Sequence, residues 1–401
     1  MNYSTTMIRS VKCFYFSFLV LLGTVFLVGC GEKARRGEHE SGNSEEATKG
    51  TIEKELFGKL PDGRDAYLYT ISNGQGLTVK ATNYGGIITS ILTPDKDGNP
   101  GDVVLGFDSL NRYTDRHPHM GPLIGRYSGY IAGAKFTLDG TDYQLAANSG
   151  ANHLHGGKQA FDKILWNATE VNEKEGPGLK LTYTSPDGEE GYPGNLNVTV
   201  TYTVSDDNEL QIIYEAATDK KTHVNLTNHL YFNLSNLRAD DVMQHELTIH
   251  ATRYAVPGKG NIPTGELKDV KNTPLDFSTV SPIGARIGEL PNGYDHNFVL
   301  KDKNDQDLRL AATVYEPLSG RSMELFTTHS GLEFASAGWL NVKGKGGKTY
   351  GKSAGFLLYP QHLPDSPNRP DFPSTLLEPG RRYYEKTVYK FSTETPASEE
   401  E

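Results

Sequence analysis

The sequence predicts an all-β protein, built as a large antiparallel sandwich or barrel. Residues 77–81, 179–183 and 196–204 alternate apolar and polar side chains with a period of two. This alternation gives a strand one buried face and one solvated face. We find no long helical stripe and no internal repeat between these runs. Many short strands joined by tight turns are typical of a single large β domain.

Turn sequences separate the predicted strands. Each combines Gly with Asp, Asn or Pro, the residues that favour tight reversals of the chain. The turns are Pro61-Asp62-Gly63, Asp97-Gly98-Asn99, Asp139-Gly140, Pro186-Asp187-Gly188 and Pro291-Asn292-Gly293. Their spacing favours antiparallel neighbours over parallel strands with helical crossovers.

Residues 1–29 predict a lipoprotein signal peptide. Arg9 and Lys12 precede an almost unbroken apolar run, which ends at Leu27-Val28-Gly29-Cys30. A basic start, an apolar middle and small residues at the cleavage site are typical of secretory signals. We expect cleavage before Cys30 and acylation of Cys30, which would anchor the protein in the bacterial cell envelope, with the outer membrane or periplasmic face preferred. The alternative, an uncleaved membrane helix, is disfavoured because the run is short for a bilayer span.

Two polar segments flank the predicted domain. Residues 30–50 are charged and lack bulky apolar side chains, so we expect a flexible tether there, and residues 393–401 predict a disordered acidic tail. The globular domain is therefore expected at residues 51–392. Cleavage before Cys30 would change the formal charge from −10 to −12, which disfavours nucleic acid as a partner. Cys30 would also be the only cysteine left, so no internal disulfide is expected.

Several histidines lie in Gly- and Asn-rich segments rather than in apolar alternation. His153 and His155 could hold a metal ion together, because alternate strand residues share a face. No carboxylate or Cys stands at ligand spacing, so we favour one cleft histidine and one packed histidine, with no metal or cofactor. A cleft of His, Asn, Asp and Tyr suits a neutral, polyhydroxylated ligand such as a sugar.

A series of longer segments carries a family resemblance. They include Leu154-His-Gly-Gly157, the Thr-Asn-His segment that ends at His229, and Tyr294-Asp-His-Asn-Phe298. In full they span residues 103–108, 124–127, 154–157, 161–166, 185–194, 225–234, 273–277, 294–298, 344–351, 364–368 and 372–375. In this order they resemble the aldose 1-epimerase (galactose mutarotase) family.

The resemblance implies a fold and a reaction. The fold is a large antiparallel β-sandwich, the galactose mutarotase-like supersandwich, with an open cleft for a small-molecule aldose sugar. The reaction interconverts α and β anomers without metal or cofactor. A base takes the C1 hydroxyl proton while an acid protonates the ring oxygen, the ring opens, and closure gives the other anomer.

The resemblance also assigns residues. His229 matches the family's general acid, His155 matches a histidine that contacts the sugar near its ring oxygen, and Asp295 matches a carboxylate that binds sugar hydroxyls. Arg126, in the preserved Gly-Arg-Tyr segment, is expected to bind the substrate as well.

Three positions depart from the family pattern. Tyr130 stands where the family has a substrate-binding Arg, His329 replaces a Gln, and Tyr359 replaces the catalytic Glu. We expect Tyr130 and His329 to contact the substrate, and Tyr359 or His329 to act as a substitute base. Because a free Tyr has a pKa of about 10, losing the Glu should cost roughly two to four decades in rate.

These departures leave three hypotheses open. The first is an epimerase with altered catalysis that acts on a hexose such as glucose or galactose. The second is a sugar-binding relative that has lost catalysis. The third is another carbohydrate-active enzyme on the same fold, such as a hydrolase or a lyase.

Overall fold

The structure, a computed structural model, describes residues 50–115, 117–238, 240–300 and 307–393. The predicted signal peptide, the acylation site Cys30, most of the tether and most of the acidic tail lie outside these residues. The first strand begins at Thr51 and the last one ends at Ser392. Within the described ranges, no helix is both long and apolar enough to cross a bilayer.

Thirty strands make up most of the regular secondary structure in the described residues. The first fifteen are β1 (Thr51–Lys59), β2 (Asp65–Ser72), β3 (Thr78–Thr82), β4 (Ile88–Pro94), β5 (Pro100–Asp102), β6 (Leu123–Ile124), β7 (Tyr130–Ile131), β8 (Lys135–Leu138), β9 (Thr141–Gln144), β10 (His153–Leu154), β11 (Asn167–Glu173), β12 (Gly176–Ser185), β13 (Leu196–Val204), β14 (Glu209–Thr218) and β15 (Thr222–His223). The others are β16 (Thr227–Asn228), β17 (Tyr231–Phe232), β18 (Glu246–Ile249), β19 (Arg253–Pro257), β20 (Pro263–Asp269), β21 (Ser281–Pro282), β22 (Asp295–Val299), β23 (Arg309–Glu316), β24 (Arg321–Thr327), β25 (Gly331–Ala335), β26 (Val342–Lys343), β27 (Thr349–Tyr350), β28 (Phe356–Gln361), β29 (Leu376–Leu377) and β30 (Tyr383–Ser392).

Helical structure is confined to short connections. The one α-helix of the described residues is α1 (Leu110–Thr114). Single 3₁₀ turns span Ala132–Ala134, Phe161–Lys163, Glu189–Gly191, Lys259–Asn261, Ile283–Ala285, Ile287–Glu289, Lys345–Gly347 and Ser366–Asn368. The expectation of an all-β fold is therefore confirmed, and no long helix occurs among the described residues.

Three antiparallel sheets form the body of the protein. The largest has nine strands in the order β11-β12-β13-β14-β30-β24-β23-β18-β21. A six-stranded sheet has the order β17-β28-β25-β22-β19-β20, and a five-stranded sheet runs β1-β2-β3-β4-β5. Neighbouring strands in all three run antiparallel, as the tight turns predicted.

The alternating segments form strands at the predicted places. Residues 196–204 are β13, residues 179–183 lie within β12, and residues 77–81 overlap β3. In β13 the core-facing side chains are Leu196, Val198, Val200, Tyr202 and Val204. The period of two therefore identified both the strand and its buried face.

The nine-stranded sheet packs against one face of the six-stranded sheet. Phe298, Phe334 and Leu358 of the smaller sheet are fully buried in the main hydrophobic cluster, together with Tyr389 of β30. The Tyr389 hydroxyl donates to the Leu358 carbonyl at 3.2 Å. Because successive side chains of a strand point to opposite faces, the residues between these apolar anchors face away from the core. That outer face holds the polar residues described next.

Candidate active site

Three neighbouring strands of the six-stranded sheet place polar side chains side by side on its outer face. In the register of the sheet, Asn297 of β22 lies opposite Glu333 of β25, and Glu333 lies opposite Tyr359 of β28. We call these residues the polar row. Asp295 and Gln361 point to the same face, two residues along their strands from Asn297 and Tyr359. The row forms the floor of a cleft.

The cleft encloses about 260 Å³. Drug-sized ligands occupy sites of roughly 300–1,000 Å³, so this volume suits a single sugar ring. Its polar and aromatic lining comprises His119, Tyr130, His155, His229, Tyr231, Asn261, Asp295, His296, Asn297, Glu333, Trp339, Tyr359 and Gln361. Polar groups can thus bind hydroxyls while the rings face apolar C–H surfaces.

His155 presents a hydrogen-bond donor to the cleft. Its Nδ1 accepts from the Gly129 backbone N–H at 3.2 Å, so the proton of the neutral ring lies on Nε2. Burial, with smaller contributions from His119 and His229, lowers the pKa of His155 well below its ordinary value. The following Gly156 has φ +86°, and an added Cβ would lie 1.8 Å from the Gly125 carbonyl oxygen. Glycine is therefore required for the chain to pack closely behind His155.

His229 presents the complementary group. Its Nδ1 lies 3.0 Å from the His119 carbonyl oxygen, which can only accept, so the ring proton lies on Nδ1 and Nε2 is unprotonated. Burial, followed by the charge of His119, lowers the pKa of His229 to about 3. The rings of His155 and His229 lie 5.4 Å apart, centroid to centroid. At neutral pH the cleft therefore holds two neutral imidazoles, one a donor and one an acceptor.

Two carboxyl groups face each other in the cleft. Asp295 and Glu333 lie close enough to interact electrostatically, and Asn261 donates to Asp295. Burial raises the pKa of Asp295; burial and the charge of Asp295 raise the pKa of Glu333 well above its ordinary value. Two carboxylates in contact cannot both ionise easily, so the pair retains a proton.

Comparison with known proteins identifies the family. A family model described as aldose 1-epimerase matches residues 67–390 of the chain. The chain belongs to the aldose 1-epimerase family. The galactose mutarotase of Sus scrofa is 40% identical over 345 residues, which cover 85% of this chain and 99% of that protein. The aldose 1-epimerase of Escherichia coli (strain K12) is 36% identical over 342 residues, which cover 83% of this chain and 97% of that protein.

A solved structure supports the same assignment. The aldose epimerase homologue of C. elegans superposes with a TM-score of 0.74 at 28% identity, covering 80% of this chain and 97% of that one. The predicted galactose mutarotase-like sandwich is therefore confirmed, and membership of the family makes this chain an isomerase.

Several residues that the family resemblance singled out lie together in the cleft. His155, His229, Asp295, Tyr130 and Tyr359 all line it. Tyr359 is 6% exposed, and its ring lies 4.9 Å from that of His229. Burial, followed by the charges of Glu333 and Asp295, raises the pKa of Tyr359 well above its ordinary value of 10.0. A phenol in this setting stays protonated, so the structure argues against Tyr359 as a substitute base.

The expectation that Arg126 binds the substrate is corrected by its position. Arg126 is 2% exposed, and its guanidinium group lies outside the cleft, where it donates to the backbone carbonyls of Ser185, Pro193 and Gly194. It also donates to the Ser185 hydroxyl at 2.6 Å. Arg126 thus anchors the connection between β12 and β13, and none of these bonds involves the sugar cleft.

His329 is a second correction. Its side chain is fully buried between the two large sheets, with Nε2 3.0 Å from the Leu226 carbonyl oxygen and Nδ1 3.1 Å from the Thr327 hydroxyl. It lies among buried side chains of the core, not on the cleft face of the sheet. His329 is therefore neither a substrate contact nor a substitute base.

The preference for one packed histidine in the His-x-His segment agrees with the structure. His153 is fully buried, with Nδ1 2.8 Å from the Ala146 carbonyl oxygen and Nε2 2.8 Å from the Tyr192 hydroxyl. Across the described part of the chain, no group of three or more His, Cys, Asp or Glu side chains is placed to hold a metal ion.

Among the cleft residues that were not predicted from sequence, three carry specific interactions. His119 supplies the carbonyl that orients His229, and Trp339 donates its Nε1–H to the Tyr231 hydroxyl at 3.3 Å while 49% of the residue stays exposed. Glu333 is the third, and it does leave a signal: it is the one charged residue in Gly331-Leu-Glu-Phe-Ala335. A carboxylate inside an apolar strand is costly to bury, which marks it as a candidate functional group.

Proposed function

We propose that this aldose 1-epimerase interconverts the α and β anomers of a hexose such as glucose or galactose in the cleft above the polar row. The observation that carries the proposal is the pair His155 and His229, whose buried neutral rings offer one donor and one acceptor to a ligand. The names of the relatives in Sus scrofa and Escherichia coli agree with an aldose as substrate.

The reaction requires two groups that share one proton between them. Ring opening needs a base for the C1 hydroxyl and an acid for the ring oxygen, and ring closure reverses both transfers. One member of the pair must therefore begin protonated and the other deprotonated. We assign His229 to this pair and His155 to the binding of the sugar beside it, as a neutral donor.

Trp339 and Tyr231 support a cyclic sugar as ligand. Both rings line the cleft, and the hydrogen bond between them fixes their relative orientation. Asp295, Asn297 and Gln361 supply acceptors and donors for hydroxyl groups on the floor. Polar groups combined with an aromatic wall are typical of sites that distinguish the two faces of a sugar ring.

Polarimetry on freshly dissolved α-glucose and α-galactose tests the proposal. Micromolar protein should accelerate the approach to anomeric equilibrium well beyond the rate in buffer. No acceleration for either sugar would refute it. Calorimetry that showed sugar binding without turnover would then support the sugar-binding alternative.

We also propose that the protein is a lipoprotein of the bacterial cell envelope, anchored through Cys30. The support is the order of charge, apolar run and small residues in 1–29, followed directly by the cysteine.

Changing Cys30 to Ala tests the anchor. We expect Cys30→Ala to lose acylation and to move the protein from the membrane fraction to the soluble fraction, because no lipid chain remains to insert. The matched control is Cys13→Ala, which alters the only other cysteine and should leave the distribution unchanged. A Cys30→Ala protein that stays in the membrane fraction would show that Cys30 is not the anchor.

A further inference from the structure

The family places its catalytic carboxylate at a position where this chain has Tyr359. The neighbouring charges and the burial that keep this phenol protonated also prevent it from taking a proton from the sugar. An epimerase still needs a partner for His229. That partner must reach the same edge of the sugar as the side chain at position 359.

Glu333 lies directly across the strand pair from Tyr359. The two residues are register partners in β25 and β28, so their side chains leave the same face of the sheet as nearest neighbours. The residues on either side, Leu332 and Phe334, point the other way into the core. Glu333 is 4% exposed and lines the cleft. The Glu333 carboxyl group thus lies one strand away from position 359, where the family has its catalytic Glu.

The surroundings of Glu333 orient it for proton transfer. Gln361 Nε2 lies 3.4 Å from one carboxyl oxygen and donates to Asn297 Oδ1 at 2.7 Å. The Gln361 carbonyl accepts in turn from the Ser128 hydroxyl at 2.7 Å. Groups held by such a network lose little freedom when a substrate binds. The Glu333 carboxyl group is therefore positioned before the sugar arrives.

We propose that Glu333 is the catalytic carboxyl group of this enzyme and exchanges the C1 hydroxyl proton of the sugar, with His229 as its partner at the ring oxygen. This assignment rests on the epimerase function proposed above. It assigns Tyr359 a different role, as a positioning residue that packs against the imidazole of His229.

The proton count of the cleft agrees with this role. In the free enzyme the Asp295–Glu333 pair retains one proton and His229 is neutral. Because the proton rests on the carboxyl pair in the free enzyme, sugar binding must drive its transfer to His229 Nε2; the transfer gives a carboxylate and an imidazolium without any exchange with solvent. The titratable groups that face Glu333 from the adjacent strands are Asp295 and Tyr359, and Tyr359 stays neutral. The pair can therefore deliver a base and an acid together.

From that state, two proton transfers open the ring. The C1 hydroxyl proton passes to Glu333, and the O1–H electrons form the C1=O double bond. The C1–O5 bond breaks, its electron pair goes to O5, and O5 takes the proton from His229 Nε2. Rotation about C1–C2 and the reverse transfers close the ring as the other anomer, which restores both groups.

Glu333→Gln tests the assignment, because glutamine keeps the shape and most hydrogen bonds but cannot accept the proton. We expect kcat for galactose or glucose to fall by about 10²- to 10⁴-fold, with KM changed much less. Tyr359→Phe keeps the ring that packs on His229, so its kcat should fall by less than about tenfold. Glu175→Gln, at an exposed carboxylate in the turn before β12, serves as the control for an altered charge.

A double variant makes the test sharper. Glu333→Gln combined with Tyr359→Glu returns the carboxylate to the family's position. We expect the kcat of this double variant to be at least about tenfold higher than that of Glu333→Gln alone. Thermal unfolding and sugar calorimetry on Glu333→Gln check that it folds and binds.

The outcomes separate this inference from the proposed function. An active wild-type enzyme whose Glu333→Gln variant keeps its kcat would overturn the role of Glu333. So would a variant that loses affinity alone, or a Tyr359→Phe loss as deep as that of Glu333→Gln. A wild-type protein without epimerase activity would instead refute the proposed function.

Discussion

His229→Ala is expected to lower kcat for anomer exchange by about 10²- to 10⁴-fold, the usual contribution of a positioned acid–base group. The ring is held for this task, because its Nδ1–H donates to the His119 carbonyl and leaves Nε2 as the exchanging nitrogen. His155 is not oriented to replace it, since its Nδ1 already accepts from the Gly129 backbone N–H. Stopped-flow polarimetry or a coupled anomer-specific dehydrogenase assay measures the loss.

The controls separate chemistry from folding. His250→Ala removes a histidine outside the cleft and should leave kcat unchanged. Free imidazole can enter the space left in His229→Ala, so added imidazole should restore part of the rate. Activity of His229→Ala close to that of the wild type would show that the acid–base partner has been misassigned. His155→Asn, which keeps a donor, should raise KM more than it lowers kcat.

Local sequence patterns predict strands well where one face of the strand is polar. β13 shows this, since its apolar side chains alternate with threonines. β28 does not, because all six residues of Phe356–Gln361 are buried. One face of β28 packs in the core and the other lies at the floor of the cleft. The strand therefore shows no alternation of buried and exposed side chains. The period of two in the sequence therefore does not identify β28, although this strand forms part of the floor of the active site.

Some residues of the candidate site can be predicted from the sequence, and others cannot. His155, His229 and Asp295 are recognisable because each lies in a short segment that resembles the family. Arg126 lies in such a segment too, yet its long side chain reaches carbonyls near residues 185–194, which the segment itself does not encode. Glu333 and Tyr359 are 26 positions apart in the sequence, and only the strand register makes them neighbours. Side-chain direction and register are properties of the fold, not of the motif.

A buried carboxylate behind the cleft leads to the second large effect. Glu385 of β30 lies 3.1 Å from His362 Nε2 and 3.9 Å from His329 Nδ1, and it accepts from the Thr328 hydroxyl. Ser330 completes the group, with its hydroxyl 2.9 Å from His362 Nδ1. We call these residues the Glu385 cluster. His362 directly follows Gln361, so the cluster holds the end of β28 beneath the polar row.

Glu385→Ala is expected to lower the free energy of unfolding by about 3–5 kcal/mol. Removing one partner of a buried pair leaves His362 and Thr328 without their acceptor in a region that water does not reach. Urea unfolding followed by tryptophan fluorescence measures the change. Glu175→Ala, at an exposed carboxylate, should stay within about 0.5 kcal/mol of the wild type. A loss below 1 kcal/mol for Glu385→Ala would show that the cluster does not stabilise the fold.

The pH dependence of this loss gives an independent check. Burial alone would raise the pKa of Glu385, but the charge of His329 and the bond to His362 outweigh it and lower the pKa to about 2. A carboxylate whose folded pKa lies below its unfolded value adds stability above the unfolded pKa and loses it as the pH falls through the folded one. The difference between wild type and Glu385→Gln should therefore be fully present above about pH 4.5 and shrink toward pH 2. A difference that stayed constant across this range would show that packing, rather than the charge of Glu385, carries the effect. If the charge does carry it, acid should loosen β28 and the polar row before it disturbs the outer strands of the nine-stranded sheet.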